Sequence, residues 1–576
     1  MNRREKLCRF IYWIFCTSFL YLALKLYFGF NLFIINHWTS ILNVYLEKGL
    51  IPLPFLVAIA IYLTVLLTLI YFDPLSKLFQ VKEKGTSKWA TFRNIKKMEI
   101  KLLRKNGFVL GRYRPFFWFS IPLVCDEPLC LLVVAPSGTG KTSGVVIPSI
   151  LNSDDATLII NDPKGEIYNL TAGHRRTLGP VFRIEWASET DDTHCWNPLA
   201  LENLPESYEG IANYVERFSA ILINSKKEDD FWAPSARDLL ASTANFLILL
   251  NKRNNQSATL FDIYKFLSDL DLPGTDEEKQ PGKNALHMAA DLCTEFDFPE
   301  GLRADLLSVA NMDYRTKSGV LAHVRTKIRI FSNPSVIRVT SRCDLDIKNI
   351  REKDGKPQTV YFTVPASDQA TFGKLTGIFV DLMSDTLTRE RDQSKFKRPI
   401  RVILDELAFL PAMRTISEMP AYGRSYNLAF MNVCQDYEQI KHKWGEETLE
   451  TLLTNSPLQV VLTQNSYKTS EKISLRIGHC KEPKFNRSFS WGRQRNRSVS
   501  VSEEKIRLIE PQDILDLKSG EQIVFVRGNS AKPILAHSVR YYKSAKYKKI
   551  LAKAKMRKGQ TTTNNEDEND KTGIKC

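Results

Sequence analysis

Apolar positions along this chain change pattern several times. Near the N-terminus they are continuous: no charge falls between Phe10 and Leu24, and Ile51 to Phe72 is an uncharged run of 22 residues. At about 1.5 Å per residue the second run crosses a hydrocarbon core of roughly 30 Å, so transmembrane helices are expected over about 10–30 and 51–72, within an anchor spanning 1–76. From Leu131 onward the apolar runs are short and bounded by polar residues, as in LLVV, TVYFTVP, RVIL and LAFMNV, which is the pattern of buried parallel strands. Between them the text turns helical, as in FWAPSARDLLASTANFLILLNK, with a polar break at PGTDEEKQPGKN. The pattern predicts an α/β domain in two segments, 77–203 and 329–545, interrupted by an all-α insert over 204–328 and followed by a flexible charged tail over 546–576.

Charge orients this layout. Arg3, Arg4, Lys6 and Arg9 precede the first span, and twelve Lys/Arg against two Glu lie between Lys77 and Arg114. By the positive-inside rule both ends face the cytoplasm, leaving the bulk of the chain on the cytoplasmic face of its membrane. No small-x-small cleavage pattern follows the first span, which argues against a signal peptide. The net charge of +16 favours anionic partners, lipid or nucleic acid. The ten cysteines are scattered without metal-ligand spacing, and 43% hydrophobic residues suffice for real cores. Toward the C-terminus, Lys543 to Gly559 carries eight Lys/Arg and no acid before TTTNNEDEND reverses the sign. NRSFSWGRQRNRSVSVS, Asn486 to Ser502, reads as a flexible loop with Arg493, Arg495 and Arg497 turned to substrate.

The chemistry sits at strand exits. APSGTGKT, from Ala135 through Pro136, Ser137, Gly138, Thr139, Gly140 and Lys141 to Thr142, follows LLVV and precedes a helix-compatible segment. That is the context of a P-loop, whose backbone N–H groups cradle phosphates while Lys141 reaches the β- and γ-phosphates of ATP and Thr142 ligates Mg²⁺. RPIRVILDELAFLP ends a strand in Asp405 and Glu406, the form of a Walker B segment: Asp405 for Mg²⁺ and Glu406 to orient the attacking water. Gln435 leaves the LAFMNV strand where it can sense the γ-phosphate. Arg424, before that strand, is open to two readings, a finger in a neighbour's site or a plain surface ion pair.

With these residues in place the chain resembles the type IV secretion coupling proteins of the TraG/TraD class. The resemblance runs from the anchor nearly to Tyr542 through GTSKWATFRNIKK, VLGR, the P-loop, NDPKGEIYNLTAGHRR, WNPLA, FWAPSARDLL, GRSYNL, CQDYEQI and RLIEPQDILDLKSGEQIVFVRG. It implies a RecA-like P-loop ATPase forming a homo-hexamer, with Lys141, Glu406, Gln435 and Arg424 catalytic and Thr142 and Asp405 on the metal. It also implies delivery of relaxase-bound single-stranded DNA, effector proteins, or both to a secretion channel; double-stranded DNA is a further candidate. Gln464, Asn465 and Ser466 depart from the family's Asn-Asp pair, and Asp162, Lys164 and Glu166 can serve either a structural turn or the nucleotide. Two other functions fit the residues less well: a double-stranded DNA translocase of the chromosome-segregation type, and a docking receptor that binds nucleotide without hydrolysis.

Overall fold

The computed structural model describes residues 87–554 apart from 99, 103–105, 117–118, 224–230, 272–283, 366, 393–396, 412 and 490–496. Both expected membrane spans lie outside the described residues, among which no helix is long and apolar enough to cross a membrane. The chain divides into two units, residues 1–97 with 477–508, and residues 98–476 with 509–576.

The second unit is built on one sheet of twelve strands. In chain order these are β1 Lys101–Leu102, β2 Phe108–Phe116, β3 Phe119–Cys125, β4 Leu131–Val134, β5 Thr157–Asn161, β6 Val181–Ile184, β7 Thr359–Phe362, β8 Ile400–Leu404, β9 Leu428–Cys434, β10 Leu458–Val461, β11 Glu521–Val526 and β12 Ile534–His537. Across the sheet they lie β1-β3-β2-β12-β11-β10-β4-β9-β8-β5-β7-β6. The seven from β10 to β6 are parallel, and β4, β5, β7, β8, β9 and β10 are buried at every position. Runs rich in Val, Ile and Leu make this possible, because both faces of a parallel sheet are covered, and polar members such as Arg401, Asn432 and Gln459 are buried with them. The rest of the sheet is antiparallel, from β11 on β10 out to β1 on β3.

After β5 comes helix α1, Glu166–Arg176, whose Arg175 is fully buried and donates to Thr359 Oγ1 at 2.8 Å and to the Ser153 and Ala156 carbonyls at 2.7 Å. Edge strand β6 then leads into the insert: α2 Tyr208–Leu222, α3 Ala233–Arg253, α4 Leu260–Ser268, α5 Ala285–Glu295, α6 Glu300–Ala310, α7 Tyr314–Ile328 and α8 Pro334–Val339. Polar side chains cap several of these helices: Ser207, Thr259, Asn284, Asp313 and Asn333 each accept backbone N–H groups in a first turn. Helices therefore continue past 328, the expected end of the insert, as far as Val339. The two ends meet where Trp196 N–H donates to the Val339 carbonyl at 2.9 Å and Asp344 N–H to the Cys195 carbonyl at 2.9 Å. The WNPLA motif has a structural role here: Asn197 Nδ2 donates to the Ala258 carbonyl at 2.8 Å, and Trp196 packs edge-on against Phe379 with centroids 4.7 Å apart. Phe379 belongs to α9, Gln369–Arg389, and Trp186 and Phe362 complete the aromatic cluster, stacked at 5.8 Å.

Two expectations of flexibility give way to ordered structure. Residues 545–554, all but the first placed in the charged tail, are helical. Tyr547, Ile550, Leu551 and Ala554 recur at i, i+3, i+4 and i+7, and this stripe outweighs the lysines, which occupy the other face. Tyr547 is buried with Val109, Ile147, Leu151 and Val539, so the helix packs on the segment that follows the P-loop. In the first unit, most of the stretch read as a loop forms the arms of a hairpin, His479–Phe489 with Arg497–Arg507. The alternation in RSVSVS is the strand signal that its serines and arginines obscure. Ser87 fastens the hairpin's base, its N–H donating to the His479 carbonyl at 2.8 Å and its hydroxyl to the Ile477 carbonyl at 2.5 Å.

Tyr547→Ala should cost about 3–5 kcal/mol by emptying that site, whereas Lys548→Ala on the exposed face should stay within about 0.5 kcal/mol. Chemical denaturation of the two variants against the parent checks the helix assignment.

Candidate nucleotide site

Strand register brings the site together. Val134 of β4 lies opposite Cys434 of β9, and Asn432 of β9 lies opposite Leu404 of β8. Counting two residues on from Leu404, Glu406 falls level with Cys434, so the P-loop, Gln435 and the Asp405-Glu406 pair emerge side by side from three adjacent strands. This is the carboxyl edge of an open parallel sheet, where ligands of such folds bind.

The loop after β4 turns on two glycines with left-handed backbone, Gly138 at φ 81° and Gly140 at φ 94°, a conformation that costs other residues a steric penalty. Ala135 extends the ladder, its N–H donating to the Cys434 carbonyl at 2.9 Å, and the Thr139 N–H and hydroxyl both turn back to the Pro136 carbonyl. The N–H groups of Ala135 and Thr139 are thus engaged within the chain, while Ser137 is exposed at the loop's tip. Gly140 accepts from the Gly144 N–H at 2.7 Å, and a π-helical turn, Thr142–Val146, runs into Ile147–Ile150.

Five side chains converge. Lys141 Nζ donates to Glu406 Oε2 at 2.6 Å, with side-chain exposures of 12% and 8%. Gln435 Nε2 donates to the same oxygen at 3.0 Å, and Thr142 Oγ1 donates to Asp405 Oδ2 at 3.1 Å. Glu406 itself is left-handed, at φ 72° and ψ 73°, a conformation that costs a non-glycine residue of order 1–3 kcal/mol. Gln435 is held in place by the residue after it, Asp436, which caps the helix Tyr437–Trp444.

The electrostatics leave this cluster short of positive charge. Burial raises the Asp405 carboxyl above the usual carboxylate range against the pull of Lys141, and burial with the nearby Asp405 charge pushes Asp162 up to about 6. Asp405 Oδ1 and Glu406 Oε1 are buried without a hydrogen-bond partner. A divalent cation beside Asp405 and Thr142 satisfies both conditions, so the donor set fits Mg²⁺ with phosphates over the glycine loop.

Arg424 lies elsewhere. It sits in the turn before β9, at the opposite edge of the sheet, and donates to Glu127 Oε2 at 2.7 Å with 57% of its side chain exposed. The length of β9 separates it from Gln435 by about 20 Å. Its own chain therefore shows it as an ion pair.

Three further polar residues lie near the site: Asn161 and Asn432 were not singled out in the sequence, and Gln464 was noted there only as a departure from the family's Asn-Asp pair. Asn161, the last residue of β5, donates to the Asp405 carbonyl at 3.4 Å and leaves its Oδ1 unpaired. Asn432, fully buried in β9, leaves both amide atoms unpaired. Gln464 Nε2 donates to the Val134 carbonyl at 3.0 Å, bracing the strand end from which the P-loop departs. A polar residue inside an apolar strand, as in LAFMNV, was the available signal. The DPKGE turn is at the same edge, since Asp162 accepts the Tyr168 N–H at 2.8 Å beside Asp405.

A glycine loop and an acid pair at two exits of a parallel sheet, with one strand, β9, between them, define the RecA-like class of P-loop α/β folds. Residues 83–565 match the family described as Type IV secretory system Conjugative DNA transfer, and the chain belongs to that family of coupling proteins. Protein VirD4 of Rhizobium rhizogenes is 25% identical over 473 residues, 81% of this chain and 67% of that protein. Conjugal transfer protein TraG of Escherichia coli is 26% identical over 369 residues, 61% of this chain and 55% of that protein. In fold the chain is similar to the bacterial conjugative coupling protein TrwBdeltaN70 in complex with sulphate, with a TM-score of 0.58 and 18% identity over 80% of this chain and 95% of that one. It is likewise similar to plasmid coupling protein TrwB in complex with ADP and Mg²⁺, with a TM-score of 0.56 and 18% identity over 79% of this chain and 94% of that one.

Lys141→Met should destabilise the nucleotide-free protein by about 3–5 kcal/mol, because it strands a buried carboxylate, and adding Glu406→Gln should restore most of the loss. A double-mutant cycle by chemical denaturation, without nucleotide or Mg²⁺, measures the coupling.

Proposed function

We propose that this coupling protein hydrolyses ATP with Mg²⁺ to move substrate into a type IV secretion channel. The observation that carries the reading is the convergence of Lys141, Thr142, Asp405, Glu406 and Gln435 at one sheet edge. Family membership sets the context, and the solved complex of TrwB with ADP and Mg²⁺ supports the ligand choice.

In this reading the loop from Ala135 to Thr142 wraps the phosphates, and Lys141 leaves Glu406 to bond them. Thr142 and Asp405 would hold Mg²⁺, which would supply positive charge beside the phosphates. Freed of Lys141, Glu406 accepts a hydrogen bond from a water and aims it at the γ-phosphorus, while Gln435 keeps that carboxylate oriented. Lys141 thus has a partner in each state and is never buried alone.

The remaining parts of the reading rest on residues that belong to no single-chain site. The uncharged runs over about 10–30 and 51–72 anchor the protein in the bacterial inner membrane with its bulk in the cytoplasm. Arg424, too far from its own Glu406 to act there, completes the site of the next copy in a homo-hexamer. Relaxase-bound single-stranded DNA, with or without effector proteins, is the cargo that a basic chain of this family recruits.

The full chain reconstituted in bilayers should hydrolyse ATP faster when single-stranded DNA is added. Lys141→Ala and Glu406→Gln should each lower turnover by about 10²–10⁴-fold, with Glu406→Gln still binding nucleotide. Arg424→Ala should lose about 10³-fold, recovered in part when it is mixed with Glu406→Gln copies that supply the arginine. Nucleotide binding with no turnover in the parent would leave a docking receptor instead.

A further inference from the structure

We propose that Gly373, Gly377 and Lys443 are positioning residues for hydrolysis, because together they hold the turn that carries Glu406. This inference rests on the reading of Glu406 as the acid that orients the attacking water. The left-handed backbone of Glu406 is unfavourable for a residue with a side chain and persists only where the surroundings impose it. The imposing contacts lie in the next few residues. Phe409 N–H donates to the Glu406 carbonyl at 3.1 Å and Leu410 N–H to the Leu407 carbonyl at 3.1 Å, so one tight turn joins the acid to Phe409. Leu407 and Leu410 are fully buried and tie that turn to the core.

Two glycines one turn apart on α9 set how closely the turn can lie. A Cβ at Gly373 would stand 2.9 Å from the Phe409 carbonyl oxygen, and one at Gly377 would stand 2.8 Å from Pro411 Cγ and 3.2 Å from Met413 Sδ. The two nearest obstacles cannot step aside: one is backbone, and a proline ring is bonded to its own backbone nitrogen. Any larger residue on α9 at these positions therefore displaces the turn itself. Neither glycine has a left-handed backbone, so close approach is what glycine supplies here. A second element holds the same turn. Lys443 Nζ, in the last turn of the helix Tyr437–Trp444, donates to the Ala408 carbonyl. Gln435, two residues before that helix, donates to the Glu406 carboxylate, so the segment from Gln435 to Lys443 grips both the acid's side chain and the backbone behind it. The glycines have no side chain with which to reach nucleotide and can act only through the turn.

The test uses the full chain in bilayers with single-stranded DNA, where turnover gives kcat and titration with the fluorescent nucleotide mant-ATP gives affinity. Gly377→Ala and Lys443→Met should each lower kcat about tenfold, as a small displacement of a reacting group predicts, with mant-ATP affinity within about twofold of the parent. Pro411→Ala removes the ring that the new methyl meets and should restore most of the loss in Gly377→Ala. In single turnovers of Glu406→Gln, which has no carboxylate left to place, neither substitution should slow the residual reaction by more than about twofold. Without nucleotide, the Lys141–Glu406 coupling from a double-mutant cycle should fall by about half or more in each variant, whereas a merely structural role would lower overall stability and leave that coupling intact. Lys443→Met carries the test if Gly377→Ala fails to fold, since it alters a side chain rather than a packed backbone. Unchanged kcat, unchanged coupling, an equal fall in affinity, or further slowing of Glu406→Gln overturns the proposal while leaving the role of Glu406 intact. A parent that binds mant-ATP without turnover overturns the hydrolysis reading and this inference with it.

Discussion

The common level at which β4, β9 and β8 end is the constraint on which the site depends. Lys141 and Glu406 are 265 residues apart, and what brings them to 2.6 Å is the hydrogen-bonded register of three strands. A slip of one residue in β8 would turn Asp405 and Glu406 to opposite faces, and every apolar side chain of that strand would exchange faces as well. The buried strand from Ile400 to Leu404, apolar at every position but Arg401, thus fixes the geometry of the acids that follow it. The insert can interrupt the sheet without disturbing this, because it departs from edge strand β6 and returns as its neighbour β7, remote from the central three.

The site concentrates what a folded protein otherwise avoids. A left-handed glutamate, two buried carboxylates whose affinity for protons is raised, and unpaired amide atoms on Asn161 and Asn432 lie within one edge of the sheet. Each such group is unfavourable by about 1–3 kcal/mol unless a partner arrives. Stability comes from elsewhere: from six parallel strands buried on both faces, the Trp186–Trp196–Phe362–Phe379 cluster, and the helix over 545–554 seated on Ile147 and Leu151. That last contact carries the chain's end to the helix on which the P-loop is mounted.

Much of this was legible because the chemistry is attached to strand ends. LLVV before APSGTGKT, RVIL before Asp405 and LAFMNV before Gln435 each announce an element and a functional group together. The partner of Arg424 was not legible, since Glu127 precedes β4 and meets the arginine only through the order β4-β9. The hairpin arms and the helix over 545–554 were hidden by composition: serine, arginine and lysine suggest a mobile chain, while periods of two and of three to four residues place the apolar minority on one face. Helices run on past Ile328 to Val339 because Asn333 caps a further turn there. Asn432 could not be weighed until the neighbouring strands were known, and Gln464, noticed only as a departure from the family's Asn-Asp pair, shows its contact with the Val134 carbonyl only in the folded sheet.

Sheet polarity limits how Arg424 can act. In a parallel sheet the loops at the carboxyl edge and those at the amino edge are separated by the full length of the strands, and β9 holds Gln435 at one end and Arg424 at the other. No side-chain rotation covers about 20 Å. If this arginine contributes to phosphoryl transfer, the phosphate it meets is bound to another copy, and the two edges of one sheet face two different sites. A site assembled in that way is complete only between neighbours. The Glu127 carboxylate then matters in the isolated chain, because it holds the guanidinium at the amino edge until a stronger anion competes for it, and the exposure of the pair keeps the cost of that exchange low.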